Sequence, residues 1–399
     1  MTTHDSGAPV VDFDPYTDAA LTDPYAHHEA LREAGPVFYL PAYGVYGMAR
    51  YAEVSAALQD HATYCSSRGV GLSDFLKEEP WRPPSLLLEV DPPLHDRTRM
   101  VVQTALNPRA LKALTPTWKA AAEELVDALV ARGSFDAVKD LTEVYPLRVF
   151  PDAVGIQQTG REKLIPYGAL AFNAFGPLNA LAKNSLAGAP PLMDWVAESC
   201  RRENLTPDGF GAAVFEAADR GEVTDDEAER LVRSFLSAGV DTTVIGMGNM
   251  LHAFARHPDQ WTALRDDMSL AKRCFEEALR YDSTVQTFYR TTTREVRVGD
   301  VTIPEGEKVL LFYGAANRDP RQFENPEVFD ITRRALGHLG FGVGVHNCVG
   351  QMVARMEAEL VVTALAERAA TFELAGDVEP RPNNTLHAIA SLPVRVTRA

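Results

Sequence analysis

This sequence predicts a mainly α-helical protein with small β-sheets, and three observations carry that expectation. Apolar residues recur at helical spacing over long segments, notably residues 224–257 and the run from Cys348 to about Ala370. Strand signals gather in one stretch, QTFYRTTTREVRVGDVTIPEGEKVLLFYG (286–314), where β-branched and aromatic residues alternate around a turn at Pro304-Glu305-Gly306. Linkers rich in Pro and Gly, internal repeats and low-complexity tracts do not interrupt the chain. Its 399 residues are therefore expected to form one domain, 1–399, with a short flexible tail over about 1–12.

The longest helical signal starts at TDDE (224–227), a capping box whose Asp225 and Asp226 suit a helix N-terminus. Pro258 stops it, so one helix of about 50 Å is expected, long enough to cross the molecule. Its middle, LVRSFLSAGV, is apolar enough to be buried. A second helix, about 269–282, contains FEEALRY; the irregular NRDPRQFENPEVFDITRR follows the strands, with prolines spaced to forbid helix. Met352, Val353, Met356, Leu360 and Val361 mark the buried stripe of the last helix.

Composition removes several function classes. A formal net charge of −16 gives no basic face for nucleic acid. MTTHDSGAPVVDFDPY lacks the charged and apolar regions of a secretory signal, and no run approaches the roughly 18 apolar residues of a membrane span. Cys65, Cys200, Cys274 and Cys348 are far apart with no CxxC pair, which fits neither a disulfide framework nor a zinc site. The expectation is a cytoplasmic protein with reduced thiols.

The chemistry concentrates in FGVGVHNCVG (341–350). Cys348 there could be a buried structural thiol, a nucleophile at a helix N-terminus, or a thiolate ligand to haem iron. Phe341, Gly344, His346, Cys348 and Gly350 fit FxxGxHxCxG, a pattern expected by chance on the order of 10⁻⁵ times per chain of this composition. A sulfur approaching a flat macrocycle needs backbone close to the ring, which glycine at 344 and 350 allows. Backbone N–H groups of such a loop point at sulfur and moderate its donation, and Phe341 packs beside the ring. A nucleophile with His346 as base would explain neither the phenylalanine nor both glycines. Haem-thiolate ligation is the reading that uses all five residues.

On that loop the chain resembles the cytochromes P450, haem-thiolate monooxygenases, and specifically their soluble bacterial type, from about Val37 to Arg395. The resemblance implies the cytochrome P450 fold and haem b as cofactor. AGVDTT (238–243) matches the family's acid–alcohol signature. Gly239 costs about 1 kcal/mol in a helix, which suggests a close approach; by resemblance Ala238 and Gly239 face the haem and dioxygen. Reducing dioxygen consumes two protons, so Thr242 is expected to hydrogen-bond oxygen and its water while Asp241 gates proton supply. Thr242 bonding back to a carbonyl and bending the helix is the plainer alternative.

Glu277 and Arg280 form ExxR, an i, i+3 ion pair expected to lock the irregular stretch beneath the cysteine loop, with Arg333 or Asn317 as third party. DPPLHDRTR puts His95 and Arg99 on one helix face; with Arg290 and His346 they are the implied partners of the two haem propionates. His338 lies near enough in sequence to reach the same region.

For the substrate, WRPPS (81–85) sets Arg82 and Ser85 in a rigid loop, and Ser234, Ser237 and Asp241 share one face of the long helix beside Arg233. Buried unpaired polar groups cost roughly 1–3 kcal/mol each, so these should face a cavity or a partner. Phe172, Phe175, Leu88, Val285, Phe288 and Leu386 are the expected apolar walls. SSRGVGLSDF, WRPPS and LVRSFLSAGVDTT are similar to the bacterial subfamily that oxidises para-substituted benzoates. That similarity implies carboxylate contacts from Arg82, Ser85, Ser234 and, through water, Arg233, and O-demethylation of 4-methoxybenzoate or hydroxylation of a para-alkyl group. A P450 acting on another small apolar substrate, or a non-catalytic haem sensor, stands as the alternative. Residues 176–210 fall where the family places a mobile lid. With no flavin or nicotinamide fingerprint, electrons are expected from an iron–sulfur ferredoxin and its flavin reductase, docked on a basic patch of Arg97, Arg109, Lys112 and Arg355.

Overall fold

Helices dominate a computed structural model that describes residues 3–399, with four small sheets set around them. Eight helices frame the site. In chain order they are α1 Leu94–Ala105, α2 Pro108–Arg132, α3 Val144–Val154, α4 Leu164–Asn173, α5 Asp225–Ala238, α6 Asp241–Arg256, α7 Ala271–Tyr281 and α8 Gln351–Arg368. The capping box at the start of α5 forms as expected: Thr224 Oγ1 accepts from Glu227 N–H at 3.2 Å, and Glu227 Oε2 accepts from Thr224 N–H at 2.9 Å.

The single long helix expected over 224–257 is two helices, broken at Gly239-Val240. The ring of Phe150, on α3, lies where a Cβ on Gly239 would sit, only 2.4 Å away. Past the break, Thr242 Oγ1 donates to Ala238 O at 2.7 Å and Thr243 Oγ1 to Gly239 O at 3.4 Å. Threonine hydroxyls thus take carbonyls that backbone N–H groups four residues on would otherwise use.

Five strands make the main sheet: β1 Phe38–Leu40, β2 Val45–Met48, β3 Tyr64–Cys65, β4 Thr287–Thr292 and β5 Lys308–Phe312, in the order β1-β2-β5-β4-β3. Only β2 and β5 run parallel. The stretch 286–314 holds two turns rather than one. Gly306 (φ 83°) makes the expected turn, and Gly299 (φ 61°) makes a second inside a hairpin of Val296–Val298 with Val301–Ile303. A further hairpin, β6 Glu379–Pro382 with β7 His387–Ser391, packs against α6.

The expectation of a flexible N-terminal tail needs correcting. Ala8 is fully buried, and Tyr39 bonds Pro9 O through its N–H and Val11 N–H through its carbonyl. The first dozen residues, from His4 onward, are therefore packed chain. Residues 176–210 contain two helices, Ala180–Ala187 and Ala189–Ser199, pinned through Asn179 Nδ2 to Asn384 Oδ1 at 2.8 Å. No helix among the described residues is long and apolar enough to cross a membrane.

Candidate active site

Between α5–α6 on one side and the cysteine loop on the other lies a cavity, and the loop's backbone explains its glycines. Gly342 and Gly344 adopt φ 67° and 78°, values that side chains resist, and a Cβ on Gly344 would strike Leu58 O at 2.6 Å. Gly350 has an ordinary φ of −86°, and a Cβ there would meet no protein atom within 4 Å. Position 350 needs open space, not an unusual angle, whereas Gly342 does need the angle and was not singled out from the sequence.

Of the four cysteines only Cys348 is exposed, and its exposed surface faces the cavity and the groove beneath it. Cys348 N–H donates to Phe341 O at 2.8 Å, which closes the loop. Burial pushes the Cys348 thiol up, against the backbone N–H of Gly350 and the nearby Arg99 and Arg355.

Two unpartnered ring nitrogens test whether the residues fit a haem. His95 and His346 pack with ring centroids 4.4 Å apart, and the Nε2 of each is buried without a hydrogen-bond partner among the described residues. His346 is oriented by Leu87 O, 3.2 Å from Nδ1, and by Asp91, whose Oδ1 lies 3.7 Å from Nε2. Burial would raise the Asp91 carboxyl, but the nearby His346 ring and hydrogen bonds from Ser67 and the Ser66 and Ser67 N–H groups hold it well below the usual range. Arg99 and Arg290 also line the cavity. Arg99 is held by the backbone oxygen of Asn347, at 2.7 Å, and by its side-chain oxygen. Arg290 Nη1 donates to Tyr289 O at 2.8 Å. Two imidazoles and two guanidiniums on one flank, with a thiol and open glycine backbone on the floor, suit a flat, doubly anionic macrocycle.

Under the floor, ExxR is complete. Arg280 Nη2 and Nε donate to the two Glu277 oxygens at 2.7 and 2.8 Å, and both residues are fully buried. Arg280 also donates to Asn317 O, Pro326 O and Val328 O, while Arg333 Nε reaches Glu277 Oε1 at 3.2 Å. Both candidate third parties take part. Asn317 then carries the order upward, its Oδ1 accepting Leu339 N–H at 2.6 Å just ahead of the cysteine loop.

Across the cavity, Ala238, Gly239 and Thr242 face the open space and Asp241 does not. The helix break turns Asp241 away from Ser234 and Ser237, against Gly168 of α4. Its Oδ1 pairs with Arg381 Nη2, from β6, at 2.6 Å, and its Oδ2 is buried without a partner among the described residues. Burial pushes the Asp241 carboxyl up, against the pull of Arg381.

The lining includes the polar Arg82, Ser85, Ser234 and Ser237 and the apolar Leu88, Phe172, Phe175, Val285 and Phe288. Phe172 meets Phe175 edge-on at 5.7 Å, and Phe288 packs 5.6 Å from Phe175.

Comparison with known proteins follows the same outline. The sequence profile of the Cytochrome P450 family matches residues 202–396. "Cytochrome p450 CYP199A2" of Rhodopseudomonas palustris is 55% identical over 99% of this chain and 96% of its own. This chain belongs to the cytochrome P450 family. The solved cytochrome P450 CYP109Q5 from Chondromyces apiculatus is 30% identical, with TM-score 0.81, over 97% of this chain and 99% of its own. Cytochrome P450 CREJ in complex with (4-ethylphenyl) dihydrogen phosphate is 26% identical, with TM-score 0.86, over 96% and 99%. The protein is accordingly a haem b monooxygenase that requires dioxygen and a redox partner.

Some expected site residues of this P450 lie elsewhere. Leu386 sits behind Phe172 and Phe175, bridged to Val285, and does not reach the cavity. Arg233 is also off the cavity wall; its Nη2 clamps Pro83 O at 2.8 Å. His338 bonds Glu276 at 3.0 Å, under the floor. In the basic patch, Arg97 is spent on Glu227 (2.6 Å) and Arg355 on Glu276, which leaves Arg109 and Lys112 exposed on α2. Wall residues such as Phe150, Phe235 and Tyr313 were missed, because apolar side chains on buried helices carry no signal of which face meets a cavity.

Proposed function

We propose that this P450 oxidises a small aromatic acid, a para-substituted benzoate such as 4-methoxybenzoate, with electrons from an iron–sulfur ferredoxin and its flavin reductase. The observation that carries the reading is the cavity's mixed lining: Arg82, Ser85, Ser234 and Ser237 share it with Phe172, Phe175 and Phe288, in the same cavity as Cys348 and Thr242. A carboxylate leaving water loses several kcal/mol, so it needs donors already in place. Ser85 Oγ accepts N–H groups from Leu87 and Leu88, which leaves its hydroxyl proton free for such a guest. The Ser234 proton goes instead to Arg230 O at 3.1 Å.

Cys348 would hold the iron as thiolate, and His95, His346, Arg99 and Arg290 would hold the propionates. Haem b, when bound, supplies reductive cleavage of dioxygen and insertion of one oxygen atom into a C–H bond. The chain's part is to aim the para substituent and to meter protons. Thr242 lends its hydroxyl to the cavity from the carbonyl of Ala238. Asp241, protonated more readily than an exposed carboxyl, would pass protons by swinging from Arg381 towards Thr242. Hydroxylating a methoxy carbon gives a hemiacetal that collapses to formaldehyde and a phenol. Arg109 and Lys112, beside the groove under Cys348, would meet the acidic ferredoxin.

Titrating the haem-loaded protein with 4-methoxybenzoate should shift the Soret band to shorter wavelength, and Arg82→Ala should weaken binding about 30-fold. No shift at millimolar concentration, or one indifferent to Arg82→Ala, defeats the proposal.

A further inference from the structure

Arg82 does not stand alone in the cavity lining. Its Nη1 donates to Glu89 Oε2 at 2.9 Å and to Pro83 O at 3.0 Å, and Ser85 N–H donates to the same Glu89 oxygen at 2.7 Å. The two side chains are only 8% and 3% exposed, so this is a buried ion pair. Arg82 Nε is buried too, and without a partner among the described residues. One part of the guanidinium is committed to Glu89 while another still lacks an acceptor.

The surroundings fix the charge of this corner. Arg233, close to Arg82 and bound to Pro83 O, is a second, half-buried cation. Arg230 binds Pro84 O, and Asp226 lies 3.6 Å from it on the outer side, so that pair is balanced. Tyr167 and Cys200, beside Arg233, are neutral; burial raises the tyrosine and pushes the thiol up to about 12. Two arginines against one glutamate leave a single net positive charge.

We propose that Glu89 determines head-group specificity: acting through Arg82, it fits the anion subsite to a guest with one negative charge and against one with two. This rests on Arg82 being the substrate's anchor. In a buried site, charge is tolerated only when matched. A monoanionic carboxylate neutralises the corner, whereas a phosphate dianion leaves it negative beside the Glu89 carboxylate. Glu89 does not line the cavity, so it is a positioning residue and not a contact.

The test uses the haem-loaded protein and three probes of one body: 4-ethylbenzoate, its neutral amide, and 4-ethylphenyl phosphate. Spectral titration at pH 8 should rank the benzoate at least tenfold above the other two. Glu89→Gln keeps an acceptor for Ser85 N–H and removes the charge. It should shift the phosphate-to-benzoate affinity ratio at least tenfold towards phosphate, with amide binding within about twofold of wild type. An unmoved ratio overturns the inference while leaving the benzoate reading intact; failure of wild type to bind benzoate overturns both. A second measurement needs no variant. Aryl phosphates lose their second proton near pH 6, whereas benzoate stays singly charged. Wild-type affinity for the phosphate, relative to benzoate at each pH, should fall about tenfold between pH 5 and pH 8. A flat ratio overturns the proposal.

Discussion

The two sides of the haem cavity are built to opposite rules. Beneath the cysteine loop, polar groups are saturated: Glu277 accepts from Arg280, Arg333 and Asp330 N–H, and every nitrogen of the Arg280 guanidinium is used. Around the cavity and the groove beneath it, polar atoms are left over among the described residues, namely Arg82 Nε, Thr284 Oγ1 and the Nε2 atoms of His95 and His346. A buried group without a partner costs 1–3 kcal/mol, so such a cluster is tolerated only where guests supply the missing bonds. The floor is a scaffold that must not move. The walls are a receptor that is incomplete alone.

Breaking the scaffold should have the largest effect. Glu277→Gln keeps the shape but leaves Arg280 and Arg333 without their shared anion. Removing one partner from a buried ion pair costs about 3–5 kcal/mol. Thermal unfolding together with haem content per chain measures the effect; the variant should unfold earlier and carry little haem. Wild-type haem content in this variant would erase the distinction between floor and wall.

A middle-sized effect is expected where wall meets helix. Gly239→Ala drives a methyl into the Phe150 ring, 2.4 Å from Cε1, and overpacking of this kind costs about 1–3 kcal/mol. Phe150→Leu in the same chain relieves the ring contact, though not the backbone oxygen of Phe235 at 2.5 Å, and should recover part of the loss, giving non-additive unfolding temperatures. Strictly additive losses would mean that the break between α5 and α6 does not depend on that ring.

What the sequence displayed and what it hid divide along similar lines. The cysteine loop, ExxR and the capping box are local spacings, readable because chemistry sets residues at fixed offsets. Asp241 looked like a neighbour of Ser234 and Ser237 because an unbroken helix was assumed. Its partner, Arg381, lies 140 residues away, and a contact of that range leaves no periodic trace. Glu89, only 7 residues from Arg82, was hidden for another reason. An ion pair across a loop obeys no helix or strand period. The ties that disarm Arg97 and Arg355 were invisible likewise, since exposed and paired arginines are written with the same letter.

Glu357 is one of several exceptions away from the cavity, and it sharpens the contrast. It lies on α8, a scaffold helix, yet it is fully buried and both carboxyl oxygens lack partners among the described residues. Burial alone pushes its carboxyl well above the ordinary value, so folding favours the protonated form. The sign follows. Below the unfolded value, about 4.3, folded and unfolded chains hold the proton alike and stability is at its full level. As pH rises towards the folded value, the unfolded chain releases the proton first and stability falls. Glu357→Gln removes that dependence with little change in shape. The variant should differ least from wild type below about pH 4 and gain stability relative to it progressively as pH rises to 7, with no change in the spectral response to substrate. Denaturant unfolding at the two pH values decides it. A gap that does not widen with pH would mean that an internal partner satisfies Glu357, and the floor would then be saturated throughout.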